Sequence, residues 1–103
     1  MVRDEGGHKM KHEYLKIVPQ NIIVTFSDIH VSPLSGESIT VHLERASERG
    51  FDIAEYVLPA CVLKKCIGFN EDEEYVLMQF VKNNSPLIWE IAREDGDIIA
   101  DAV

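Results

Sequence analysis

The run NEDEEYVLMQFVKNNSPLIWEIAREDG, residues 70–96, decides what kind of domain this chain forms. Tyr75, Val76, Leu77, Met78, Phe80 and Val81 give a helix with a wide apolar face, of the kind found in a helix packed on both sides. Asn70 stands at the N-cap position, and Glu73 completes a box-like arrangement with it. Glu71, Asp72, Glu73 and Glu74 place carboxylates in the first turn, where the helix dipole favours them. Asn83-Asn84 reads as an interruption. Ser85 then caps a second helix, and Pro86 takes its first position, where the missing N–H costs nothing. Leu87, Ile88, Ile91 and Ala92 form a narrow stripe on that second helix, and Gly96 is its natural stop. The sequence therefore predicts two C-terminal helices.

Upstream the period changes from helical to two. Ile39, Val41 and Leu43 alternate with Ser38, Thr40, His42 and Glu44, the pattern of a strand with one face on a core and one in water. Ile22-Ile23-Val24-Thr25-Phe26 is rich in β-branched and aromatic residues, with Ile22, Val24 and Phe26 on one face. At Ser27-Asp28 the alternation breaks, and Ile29 and Val31 resume it in the opposite phase, which calls for a turn or bulge. Tyr14-Leu15-Lys16-Ile17-Val18 is a short strand stopped by Pro19. Residues 51–58 read as a strand ended by Pro59, with a helix as the alternative, and residues 60–67 stay open between the two. Strands first and helices last predict an α+β domain: an antiparallel sheet of three to four strands followed by two C-terminal helices packed on one face. A single domain over 13–96 is expected, with a flexible polar lead at 1–12 and an acidic tail at 97–103. Met10 reads as an alternative start, with the first nine residues an upstream extension.

The chain has 103 residues, 18 acidic against 10 basic, for a net charge of −8. Residues 1–66 hold eight basic and nine acidic groups, whereas residues 67–103 hold only Lys82 and Arg93 against nine carboxylates. This balance argues against a general nucleic-acid binder, which needs clustered Lys and Arg. No apolar run approaches the roughly 20 residues of a membrane span, and the polar N-terminus has no apolar signal core. A cytoplasmic location is expected. Cys61 and Cys66, spaced C-x4-C, fit neither a redox motif nor a zinc knuckle and read as reduced, buried small hydrophobes.

Asp28-Ile29-His30 and His42-Leu43-Glu44 are the only clustered metal-type or acid–base side chains outside the lead. His30 and His42 are the candidate ligands should a divalent metal bind, and no other cofactor is evident. There is no H-E-x-x-H, no G-x-S-x-G turn and no glycine-rich phosphate loop. Small size, the lack of a catalytic motif and the acidic C-terminal third together predict a non-enzymatic binding or regulatory module acting through protein–protein contact, with a partner protein or a second copy as a homodimer. The alternative is a small metal- or histidine-dependent enzyme using Asp28, His30, His42 and Glu44.

Several of these features also occur in an order that resembles a known family. Phe26-Ser27-Asp28 looks like the end of a first strand, and Val41-His42-Leu43 like the last position of a histidine-rich run. Gly68-Phe69-Asn70 with Glu73-Glu74 looks like a helix start, and Asn83-Asn84 followed by Leu87 and Trp89 like a final helix. In this order they resemble a family of small uncharacterised prokaryotic proteins, a domain of unknown function whose signature is an H-x-P-P-H-x-H-V run. The resemblance covers about residues 14–94. It implies a strand-then-helix architecture and a gene of the kind sometimes placed beside toxin–antitoxin-like or regulatory partners. The signature run itself is degenerate here, with a Pro33 loop and Thr40 where histidines are expected.

Overall fold

In the computed structural model, which describes residues 11–96 and 98–100, seven strands and one helix follow in the order β1 (Lys11–Ile17), β2 (Ile22–Ser27), β3 (Ile29–Ser32), β4 (Gly36–Ser47), β5 (Gly50–Leu58), β6 (Val62–Ile67), α1 (Glu71–Asp95) and β7 (Ile98–Ala100). The long strand β4 organises the sheet. One of its edges pairs with β5, which in turn pairs with β6. Its other edge takes β3 along Gly36–Ser38 and β2 along Val41–Glu44, so β2 and β3 are two halves of one bent strand. Outside that bent strand lie β1, antiparallel to β2, and β7, parallel to β3.

The phase reversal at Ser27-Asp28 is a bulge. Phe26 pairs with Val41 and His30 with Ser38, so three residues face two across the gap. The ladder amide that the extra residue leaves over is satisfied locally: Thr40 N donates to Ser27 Oγ at 3.0 Å, and Ser27 Oγ donates to the Asp28 carbonyl at 2.9 Å. Further register shifts at Glu13/Leu15 and Glu55/Tyr56 add to the curl of the sheet.

The sequence-based expectation of a three- to four-stranded antiparallel sheet with two helices is overturned: among the described residues the sheet is mixed and seven-stranded, and the helix is single. Asn83-Asn84-Ser85-Pro86 does not interrupt the helix. The buried positions Leu77, Val81, Ile88 and Ala92 lie on one continuous stripe, because Val81 and Ile88 are seven residues, or two turns, apart. Pro86 sits on the opposite, exposed side, so the carbonyl it leaves without an amide partner faces water. Asn84 works within the helix: its amide donates to Phe80 O at 2.8 Å and its oxygen accepts the Tyr14 hydroxyl at 2.7 Å, tying α1 to β1. Pro86→Ala should therefore stabilise the protein by about 1–3 kcal/mol in chemical denaturation. Destabilisation would mean that the proline shapes the packing.

α1 covers one face of the sheet. Its buried stripe joins Ile22, Val24, Phe26, Ile29, Ile39, Val41, Leu43, Ala54, Tyr56 and Leu58 in the core. With a single helix layer, the outer half of the apolar run has nothing to pack on, and Tyr75 and Val76 are exposed. The capping box forms as read, with Asn70 and Glu73 each bonding the other's backbone amide. Lys11 and His12, assigned to the lead, belong to β1, and Ile98–Ala100, assigned to the acidic tail, form β7. The remainder of the lead and tail, including Met10, lies outside the described residues.

Candidate functional site

Among the described residues the sheet face away from α1 carries no helix, and the register orders it into rows. Thr25, His42, Glu55 and Lys65 are successive cross-strand neighbours on β2, β4, β5 and β6. Beside them runs Ile23, Glu44, Ile53 and Ile67. Cross-strand neighbours on one face are the contacts that stabilise a sheet. Here one row is polar from end to end and its neighbour is largely apolar.

Over the polar row lies a cleft of about 270 Å³ lined by Lys11, Ser27, His30, Thr40, His42, Glu55 and Lys64. Its lining runs from β1 to β6, four strand spacings apart, about 19 Å across a flat sheet. His42 Nδ1 lies 3.2 Å from Glu55 Oε2. Burial and the neighbouring Lys11 charge hold the His42 imidazole below its ordinary pKa, against the pull of Glu55. A neutral ring facing a carboxylate carries its proton on Nδ1, which donates to Glu55 and leaves Nε2 as an acceptor. Such a pair can accept or deliver a proton.

The sequence-predicted site residues separate. His30 and His42 do line one cleft. Glu44 stands at its margin, 3.9 Å from Lys11 Nζ. Asp28 does not join them. It is 3% exposed, hydrogen-bonded to His12 Nε2, and a Cβ on Gly96 would come within 2.8 Å of its Oδ1, which places it under the end of α1. A bulge turns its side chain inward, so its two-residue spacing from His30 does not put the two on one surface. The carboxylate that does meet His42 is Glu55, thirteen residues away in sequence and adjacent only once β4 and β5 are in register. Among the described residues no group of three His, Cys, Asp or Glu side chains gathers to hold a metal.

The cysteines are free, Cys61 buried and Cys66 half-buried. Burial raises both thiols; the Cys66 thiol, with help from a hydrogen bond to Glu74, is pushed up to about 11. Neither is a thiolate nucleophile at neutral pH.

The open face ends at β6. Among the described strands only β5 pairs with it. Val62, Leu63, Lys64, Lys65 and Ile67 are all exposed. About half of an edge strand's backbone N–H and C=O groups point outward, ready to pair with another strand.

No helix among the described residues is long and apolar enough to cross a membrane. No protein-family model, curated protein or solved structure matches the chain.

Proposed function

We propose that this protein is a non-enzymatic binding module that takes an extended, acidic segment of a partner protein along the outer edge of β6. The observation that carries this reading is the exposure of β6 along nearly its whole length, with Lys64 and Lys65 at its centre and exposed Val62 and Ile67 on either side. Strand addition supplies main-chain hydrogen bonds, and side chains on the exposed edge select the sequence.

Charge selects the occupant. Lys64 and Lys65 stand on β6, and Lys11 and Lys16 on β1, so the two antiparallel edges of the open face are basic in an otherwise acidic protein. A second copy is the poorer partner for this edge, because antiparallel self-pairing centred on β6 sets Lys64 opposite Lys65, and like charges directly opposite destabilise a sheet. Edge lysines are also a common protection against aggregation. Selection from a random peptide library distinguishes protection from recognition. The wild-type protein should enrich acidic, β-prone sequences in a salt-sensitive manner, and the Lys64→Glu/Lys65→Glu variant should lose them. Equal enrichment on both proteins would contradict the reading.

A further inference from the structure

The inner edge of β6 already shows what its side chains accept. On β5, Ile53 stands opposite Ile67, Glu55 opposite Lys65, and Val57 opposite Val62. The three β5 residues alternate, so all three face the open side of the sheet with an apolar–x–acidic–x–apolar spacing. Resting on the strand-addition reading above, the geometry points to a partner segment with this same spacing on the outer edge of β6. Its acidic residue lies beside Lys65, and its apolar residues lie beside Ile67 and Val62.

Three features of the edge support the pattern. Ile67 and Val62 are 51% and 56% exposed, so strand β5 covers only part of each side chain and a second apolar neighbour would bury more. Lys65 belongs to the polar row Thr25–His42–Glu55–Lys65, which stops at β6 with a cation at its end. An acidic residue on the next strand continues that row with an opposite charge, the favourable cross-strand pair. The bulge between Glu55 and Tyr56 leaves Lys64 as the extra residue on β6, where it lines the cleft, so the pairing positions fall to Val62, Lys65 and Ile67.

The test uses the full chain and three synthetic peptides, SVTETVS, SVTQTVS and SVTKTVS, with affinity measured by calorimetry and location by amide chemical shifts. Glutamate at the centre should bind best, glutamine about fivefold more weakly and lysine at least about tenfold more weakly. The Lys65→Glu variant should reverse the order of the first and last. Equal binding of all three peptides at β6 would overturn the pattern while leaving strand addition standing. Failure of every peptide to perturb β6 amides would overturn both.

Discussion

Arg45→Ala should cost about 3–5 kcal/mol of folding free energy, a large share of the about 5–15 kcal/mol available to a domain of this size. Arg45 joins the far end of β4 to β5 and to the start of α1. Its Nε and Nη2 donate to Asp52 Oδ2 at 3.0 and 2.7 Å, and its Nη1 donates to Glu73 Oε2 at 2.9 Å. The guanidinium also lies 4.6 Å from the centre of the Phe69 ring. Asp52 is 4% exposed, so deleting Arg45 leaves a buried carboxylate with no partner but the exposed Arg49, whose Nη2 is 3.6 Å from Asp52 Oδ1. Glu73, held below its ordinary pKa chiefly by Arg45, is also half of the capping box, so one guanidinium supports the helix start as well. Gly68 completes the arrangement: at φ +89°, a Cβ there would lie 2.0 Å from Asp52 Oδ1. The expected fall in melting temperature is on the order of 15 °C or more. Replacing Asp52 by Ala in the Arg45→Ala background should recover part of the loss, because no buried charge then remains. A loss below about 1 kcal/mol for Arg45→Ala would show that the cluster is a solvated surface pair.

His12→Ala is expected to cost about 3 kcal/mol by the same logic at the opposite end of α1. His12 bonds the nearly inaccessible Asp28, and its ring packs 5.2 Å from Phe26. Gly96 leaves the space both groups occupy, since a Cβ there would meet Asp28 Oδ1 at 2.8 Å and His12 Nε2 at 3.1 Å. The pair thereby fastens β1, the bulge and the end of the helix at one point. Urea denaturation of His12→Ala and His12→Ala/Asp28→Asn separates the effects: the single variant should be much the less stable, and the neutral amide should recover part of the difference. If the single variant unfolds like the wild type, Asp28 is not dependent on His12.

The alternation of Ser38–Glu44 and the phase reversal after Phe26 were both legible, because a half-buried strand writes its faces directly into the period. The capping box at Asn70 and Glu73 was legible because it is local. The helix count is not legible from a local rule: Pro86 fits a helix start, but the in-phase spacing of Leu77, Val81, Ile88 and Ala92 outweighs it, and a proline on the solvent side is tolerated. Strand β6 left no period to read, because nearly all of its residues are exposed. His12 reads as part of a polar lead because its immediate neighbours, Lys11 and Glu13, are charged. Glu55 joins His42 only through the β4–β5 register, which no spacing along the chain encodes. The acidity of the whole chain likewise concealed the basic edges, because the excess carboxylates lie mainly in the C-terminal third.

Amide hydrogen exchange across residues 62–67, with and without SVTETVS, tests the central claim most directly. The outward-facing amides of β6 should exchange quickly in the free protein and slow by at least about tenfold at saturating peptide, with α1 unchanged. Slow exchange along both edges of β6 in the free protein, or protection that appears on α1 and not on β6, would contradict it.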